Sequence, residues 1–288
     1  MEYTTLNNGV RMPVVGLGTF NLPKKELTQI VRTAFDLGYT KFDTAWKYKN
    51  EKELGNAFKK LGIPRDKLFI TTKFHIDQIF LSYHPSYHIA IPRCRVKHAF
   101  ELQCKNLMTD YIDLYLLHWP FLNYYEKIWE EVVGLYKSGR IRALGVCSFD
   151  KRHLNKLREI SDVVPAVNQI EVSPYNTQKG LVTFTQSQGI QVEGFSSFGG
   201  HACGSNTLFT NEVLSSIACE YGKSVPQIIN RWLIQQNIDI IPRSKNPMHL
   251  KENLDIFDFK LSQADMEKID ALNRDEFVYG NPKYDYYK

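Results

Sequence analysis

The 288-residue chain has few cysteines, and none are paired in a Cys-x-x-Cys motif. They are odd in number and scattered, at Cys94, Cys104, Cys147, Cys203 and Cys219. Zinc sites and the disulfide frameworks of small secreted proteins need regular cysteine spacing, so this distribution argues against both. We therefore expect reduced thiols, no metal site and a cytoplasmic protein.

Long apolar segments are missing as well. No apolar run approaches the roughly 20 residues that a membrane helix needs, and residues 1–13 contain no apolar signal region. Charges of both signs are interspersed and sum to +5, without the basic stripe that is typical of nucleic-acid-binding proteins. We expect a monomer that binds a small molecule and has neither a membrane nor a nucleic acid as partner.

Strand-like and helical patterns alternate along the whole chain. Strands are expected at 13–18, 40–44, 68–73, 111–117, 141–147, 165–170, 190–195 and 238–242. Helices are expected at 23–37, 51–61, 93–107, 124–138, 150–159, 178–188, 210–221, 225–236, 247–254 and 262–272. Most of these strands are apolar throughout, as in a parallel sheet that is covered on both faces.

This alternation predicts an α/β fold, a (β/α)8 TIM barrel formed by one domain over residues 1–288. A barrel of this kind commonly needs about 250 residues. A doubly wound sheet is the competing fold, but its glycine-rich GxGxxG loop is absent. The motif Asn7-Asn8-Gly9 predicts an N-terminal β-hairpin that plugs the bottom of the barrel.

Four chemically active side chains lie at or just beyond the ends of predicted strands: Asp43, Tyr48, Lys73 and His118. Each alone has an ordinary interpretation, as a helix cap, a rim aromatic, a solvated lysine or a core histidine. The carboxyl ends of parallel strands meet at one face of a barrel, where enzymes of this fold build their active sites. Their shared position therefore predicts one active site.

The segment 75–92 is the least regular part of the sequence. His84 and His88 have the spacing of a metal site on a helix, but Pro85 lies between them and disfavours a helical turn. We therefore expect a lid or a surface loop here.

Seven stretches together resemble the aldo-keto reductase family over nearly the whole chain. They are PVVGLGTF, GYTKFDTAWKYKNE, LFITTK, DYIDLYLLHWP, SGRIRALGVCSFD, PAVNQIEVSPYN and IPRSKNPMHLKENLDIFDFKLS. The resemblance implies a (β/α)8 barrel that reduces aldehydes and ketones with a nicotinamide cofactor. It also implies a catalytic group of Asp, Tyr, Lys and His, whose positions are filled here by Asp43, Tyr48, Lys73 and His118.

General chemistry agrees with these roles. Hydride addition to a carbonyl leaves an alkoxide that needs a proton, and we expect Tyr48 to donate it. A free phenol has a pKa near 10, which the neighbouring Lys73 ammonium is expected to lower. Asp43 would hold Lys73, and His118 would donate to the carbonyl oxygen. The alternative is a nucleotide-binding redox-sensing or regulatory barrel with slow turnover, against which the four intact residues argue.

The resemblance implies a cofactor site with departures from the family pattern. Asn168 and Gln169 match a polar pair that holds the nicotinamide amide, and Phe195 replaces a stacking tyrosine. Ser148 keeps a hydroxyl where the family has Ser-Asn and this chain has Cys147-Ser148. The full expected set is Gly18, Thr19, Phe20, Asp43, Ser148, Asn168, Gln169, Phe195, Ser196, Arg243, Ser244, His249, Glu252 and Asn253.

The expected cofactor is NADPH, with NADH also usable. Arg243 and Ser244 stand for the family's Lys-Ser, and a guanidinium suits phosphate oxygens. His249 replaces the family's second cation, so we expect the preference for NADPH to shrink as pH rises and His249 loses its proton.

The expected substrate pocket is aromatic and contains Phe20, Trp46, Tyr48, His118 and Trp119. The C-terminal tail, residues 275–288, is expected to fold over its mouth. An apolar, roomy site discriminates weakly between similar substrates, so we expect broad reduction of small-molecule carbonyl substrates, aldehydes and some ketones.

Overall fold

The computed structural model describes residues 2–78, 80–84, 89–92, 96–121, 124–200 and 208–279. Its strands are β1 (Tyr3–Thr5), β2 (Arg11–Pro13), β3 (Gly16–Gly18), β4 (Lys41–Asp43), β5 (Phe69–Phe74), β6 (Phe80–His84), β7 (Ile89–Pro92), β8 (Ile112–Leu117), β9 (Ile141–Cys147), β10 (Val167–Glu171), β11 (Gln191–Phe195) and β12 (Ile238–Ile240). Its helices are α1 (Leu27–Asp36), α2 (Glu51–Leu61), α3 (Val96–Leu107), α4 (Tyr125–Lys137), α5 (Lys151–Ile160), α6 (Lys179–Ser187), α7 (Glu212–Tyr221), α8 (Val225–Gln235), α9 (Pro247–Leu254) and α10 (Gln263–Asp270).

Eight parallel strands form one sheet in the order β12-β11-β10-β9-β8-β5-β4-β3. A parallel bridge between Val15 and Ile240 brings the two edge strands together, and the Ile240 amide donates to the Val14 carbonyl at 2.8 Å. The sheet is thus a nearly closed barrel with helices between its strands, which confirms the predicted (β/α)8 fold.

The strands are buried along almost their whole length, as their apolar sequences predict. Their outward side chains pack against helices that present one apolar face each, and Trp129 on α4 and Trp232 on α8 are fully buried there. Helix α2 matches its predicted range and ends at Gly62, whose φ of 64° is a conformation that glycine adopts without strain. The packing of helices on the barrel therefore fixes which strand residues face inward.

The N-terminal hairpin is also confirmed. Strands β1 and β2 pair antiparallel, and Gly9 adopts a φ of 83° in the turn between them. Leu6 and Met12 are buried against Phe69 and Leu114 at the amino end of the barrel strands. The hairpin closes that end and leaves the opposite end, where the strands terminate, for a site.

The irregular segment after β5 differs from the expected loop. Strands β6 and β7 pair antiparallel there and form a small separate ribbon; Pro85 and His88 lie outside the described residues. Three or more metal-binding side chains do not cluster anywhere in the described ranges. No described helix is long and apolar enough to cross a membrane.

Candidate active site

The four side chains predicted to share a site lie together at the carboxyl end of the barrel. Lys73 Nζ lies 2.6 and 2.7 Å from the two Asp43 carboxylate oxygens, 3.0 Å from the Thr44 carbonyl and 3.3 Å from Tyr48 Oη. The His118 ring packs edge-on against Tyr48, with centroids 5.8 Å apart. The ammonium therefore contacts the acid and the phenol at once.

Burial governs the protonation states of this group. Burial raises the pKa of Tyr48 above its ordinary value, and the opposing effect of Lys73 is smaller. The expected lowering of the Tyr48 pKa is therefore wrong, although Lys73 acts in the predicted direction. Burial, and then Lys73, hold the pKa of His118 well below its usual range, so its ring is neutral at pH 7.

A second pair of charges lies deeper in the barrel and was not predicted. Lys41 Nζ and Glu193 Oε1 are 2.7 Å apart and both side chains are fully buried. Gln169 joins the two layers, because its Nε2 donates to Asp43 Oδ2 at 2.9 Å and to Glu193 Oε2 at 2.6 Å. The only local signal was a charged residue inside each of two predicted strands, Lys41 in 40–44 and Glu193 in 190–195.

A cavity of about 820 Å³ opens beside these residues and extends from β4 to helix α9. This volume is in the range of cofactor and substrate sites. Of the predicted cofactor-binding residues, it is lined by Gly18, Phe20, Asp43, Gln169, Phe195, Ser196, Arg243, Ser244, His249, Glu252 and Asn253. Most of the predicted set is therefore brought together.

Three predicted cofactor residues are placed elsewhere. Asn168 and Gln169 are neighbours on β10, so their side chains point to opposite faces; Asn168 Nδ2 donates to the Phe149 carbonyl at 2.9 Å and does not line the cavity described above. Thr19 Oγ1 donates to the Asp43 carbonyl at 2.8 Å. Ser148 is buried beside a separate small cavity.

Cys147 lines the main cavity next to these residues. Its Sγ lies 3.7 Å from Ser148 Oγ and 3.8 Å from Gln169 Oε1. Burial raises the pKa of this thiol to about 12, although Lys73 opposes the shift. Since the thiolate is the nucleophilic form, Cys147 acts here as a small buried side chain.

Four of the five predicted substrate-pocket residues line the cavity: Phe20, Tyr48, His118 and Trp119. Trp46 is not among the described lining residues. Its ring instead stacks on His75, with centroids 6.0 Å apart, and His75 packs edge-on against His118 at 5.9 Å. Trp46 therefore supports the wall from behind.

The cavity lining also includes residues outside the predicted sets, among them Lys47 and Tyr279. Lys47, between Trp46 and Tyr48, faces the cavity. Tyr279, from the predicted tail, lies 6.4 Å from Phe20 and 6.2 Å from Phe195 between ring centroids. Its amide donates to Glu171 Oε2 at 3.1 Å, so the described part of the tail covers the cavity; residues 280–288 lie outside the described ranges.

Comparison with known proteins places this geometry in a family. Residues 14–274 match the model of the aldo/keto reductase family. A glyoxal reductase of Bacillus subtilis strain 168 is 43% identical over 279 residues, which cover 96% of this chain and 95% of that protein. Methylglyoxal reductase DkgA of Escherichia coli K12 is 34% identical, with 96% and 95% covered.

A solved structure supports the same family assignment. The crystal structure of a Bombyx mori aldo-keto reductase (AKR2E4) in complex with NADP superposes with a TM-score of 0.86. Its sequence is 31% identical, and the match covers 99% of this chain and 97% of that chain. The present chain therefore belongs to the aldo/keto reductase family.

Proposed function

We propose that this oxidoreductase reduces small aldehydes, including 2-oxoaldehydes, and some ketones to alcohols with NADPH, and that Tyr48 donates the proton. The observation that carries the proposal is a partly buried phenol 3.3 Å from a lysine that is itself bound to Asp43. This group lies at one end of a cavity that is long enough to reach helix α9.

The residues of the cavity suit a nicotinamide dinucleotide. Gln169, Phe195 and Ser196 lie at the end near Tyr48, where an amide-bearing ring would find hydrogen-bonding groups and an aromatic face. At the other end, Asn230 lines the cavity, and its buried Oδ1 has no hydrogen-bond partner within the described part of the chain. An adenine amino group would satisfy this acceptor.

Arg243 and Ser244 favour the phosphorylated cofactor. Both line the cavity just before the N-terminus of α9, where backbone N–H groups and the helix dipole attract anions. Arg243 Nη1 donates to the Phe20 carbonyl at 3.1 Å, which fixes the guanidinium at this wall. A 2′-phosphate would find a cation and a hydroxyl here.

Bound NADPH supplies the hydride, and the side chains supply the proton and the orientation. Burial keeps Tyr48 protonated at neutral pH, so the phenol is available as an acid. Lys73 stabilises the phenolate that is left when the proton has moved, which is stabilisation of charge that develops during the reaction. The neutral His118 ring carries one N–H, which donates to the carbonyl oxygen and orients it.

The names of the relatives suggest the substrate class. A glyoxal reductase and several methylglyoxal reductases cover nearly the whole chain, and those substrates are small dicarbonyl compounds. Phe20, Trp119 and Tyr279 give the end of the cavity near Tyr48 an apolar wall. Such a wall accepts small aldehydes without strong selection among them.

The test is an aldehyde panel that includes methylglyoxal, assayed with NADPH and with NADH by the loss of reduced-cofactor absorbance. We expect reduction of most aldehydes, with a lower KM for NADPH than for NADH. Cofactor binding, followed by tryptophan or cofactor fluorescence, is measured in parallel. Tight binding without turnover of any aldehyde would contradict the proposal and support the redox-sensing alternative.

A further inference from the structure

We propose that Lys47 makes the substrate end of the cavity selective for carbonyl compounds that also carry a carboxylate. The inference rests on the proposed function, because it concerns which carbonyl compounds reach Tyr48. Lys47 immediately precedes Tyr48 in a single 3-10 turn, Trp46–Tyr48, and both side chains line the same cavity.

The aromatic side chains and His118 at this end carry no charge that competes with Lys47. Arg243 also lines the cavity, but its Nη1 donates to the Phe20 carbonyl at 3.1 Å and the proposed function assigns it to the cofactor phosphate. Phe20, Trp119 and Tyr279 are aromatic, and His118 is neutral because burial and nearby cations lower its pKa. The Asp43 carboxylate is bound on both oxygens by Lys73. An anionic substrate group at this end therefore has aromatic neighbours and the ammonium of Lys47.

Asp77 holds Lys47 from outside the cavity. Lys47 Nζ lies 2.7 Å from Asp77 Oδ2, and the two side chains are 50% and 39% exposed. Asp77 is not among the described residues that line the cavity. An ammonium has three donors, and an exposed pair of this kind is weak, so Lys47 can keep Asp77 and bind a substrate carboxylate as well.

A second lysine, Lys49, lies near Lys47 but is not among the described residues that line the cavity. Lys49 Nζ lies 3.1 Å from the centre of the Trp46 ring, and its neighbours include both Lys47 and Asp77. Two ammonium groups thus face one exposed carboxylate around Trp46. Charge of one sign at the mouth of a cleft raises the local concentration of oppositely charged substrates.

The experiment compares carboxylic acids with their methyl esters, in which one methyl group replaces the negative charge. Succinic semialdehyde is paired with its methyl ester, and 4-carboxybenzaldehyde with methyl 4-formylbenzoate. For each pair, the ratio of kcat/KM for the acid to kcat/KM for the ester is measured in the wild type and in Lys47→Met. We expect Lys47→Met to lower this ratio about fivefold in at least one pair, mainly through KM.

Three further variants give the result its specificity. Lys47→Arg should keep most of the ratio, and Lys47→Glu should lower it below that of Lys47→Met. Lys137→Met is the matched control, because Lys137 also forms an exposed pair with an aspartate, Asp162 at 3.0 Å, but lies outside the cavity. It should leave the ratio at the wild-type value.

The wild-type enzyme offers a test that needs no variant. Its acid-to-ester ratio should fall as salt is raised from about 0.01 to 1 M, because salt screens exposed charges. A ratio that changes neither with salt nor in Lys47→Met would overturn this inference while leaving the proposed function intact. A protein that reduces neither member of any pair would overturn the proposed function, and the inference with it.

Discussion

The barrel encloses two lysine–carboxylate pairs that have similar geometry and different surroundings. Lys41 and Glu193 are 2.7 Å apart, and Lys73 and Asp43 are 2.6 Å apart; all four side chains are almost completely buried. Lys41 and Asp43 are alternate residues of β4, so both point into the barrel. The first pair is enclosed, whereas the second adjoins the cavity and Tyr48.

The Lys41–Glu193 pair fits inside the barrel because the neighbouring strand carries a glycine beside Lys41. Lys41 lies across Gly16 of the neighbouring strand, where an added Cβ would lie 2.5 Å from Lys41 Cε. Gln169 then connects this pair to Asp43. The Lys41–Glu193 pair therefore has a structural role. The Lys73–Asp43 pair is available for chemistry as well, because it contacts the cavity and the Tyr48 phenol.

The strongest effect is expected for Lys73→Met, which should lower both the activity and the stability that depend on the Lys73–Asp43 pair. Without the ammonium, the Tyr48 phenolate loses its stabilising charge, and turnover should fall by about 10²- to 10⁴-fold. The Asp43 carboxylate would remain buried without a cation, at a cost of about 3–5 kcal/mol in the free energy of unfolding. Aldehyde reduction and denaturant unfolding measure the two effects. Loss of activity without loss of stability would contradict a structural role for the Lys73–Asp43 pair.

Lys41→Met should separate structure from chemistry. It leaves Glu193 uncompensated, so we expect a loss of about 3–5 kcal/mol in the free energy of unfolding. Turnover of the folded fraction should change by less than about tenfold, because Lys41 does not contact the cavity. The double variant Lys41→Met/Glu193→Gln is the control and should recover most of the stability, since it removes both charges. A fall in turnover as steep as in Lys73→Met would contradict this separation, because it would mean that the Lys41–Glu193 pair takes part in the chemistry.

A smaller effect concerns another buried acid, Asp239 on β12. Thr4 Oγ1 donates to its Oδ1 at 2.8 Å, while Oδ2 has no partner in the described ranges. Burial raises the pKa of Asp239 to about 7, although Lys41 opposes the shift. The folded state therefore holds a proton that the unfolded state has lost, and the contribution of Asp239 to stability should fall as pH rises from about 4 to about 7.

Asp239→Asn should remove that pH dependence. We expect the variant to be more stable than the wild type by about 1–3 kcal/mol above pH 7, and close to it below pH 4. Thermal or urea unfolding at a series of pH values measures the difference. Asp36→Asn, at an exposed position on α1, is the control and should leave the profile unchanged. An equal pH slope in Asp239→Asn and wild type would assign the slope to another group.

The fold and the four strand-end residues were predictable because they follow local patterns. Apolar strands of parallel type alternate with helices, and Asp43, Lys73 and His118 stand at strand ends that any closed parallel barrel brings together. The pairing of Lys41 with Glu193 depends on the arrangement of β4 and β11 inside the barrel, which no local pattern encodes. Its prediction would have required the barrel geometry first.

Two residue assignments failed for a simpler reason, which is side-chain direction. Successive side chains of a strand point to opposite faces, so only one of Asn168 and Gln169 could face the cavity. The sequence alone was enough to rule out that both do. In the 3-10 turn, the sequence did not reveal that Lys47 faces the cavity and Trp46 packs behind it on His75. The lowered pKa expected for Tyr48 failed because burial outweighs Lys73.

The central claim is that the Tyr48 hydroxyl delivers the proton. The most direct measurement is kcat for methylglyoxal, with the Kd for NADPH determined alongside, in Tyr48→Phe and in Tyr115→Phe. Tyr115 is also a buried tyrosine, but its hydroxyl donates to Gln103 at 2.6 Å, away from the cavity. We predict a fall in kcat of at least about 10²-fold in Tyr48→Phe, an NADPH Kd within a few fold of wild type, and near-normal kcat in Tyr115→Phe. A Tyr48→Phe enzyme that reduces methylglyoxal at the wild-type rate would contradict the account.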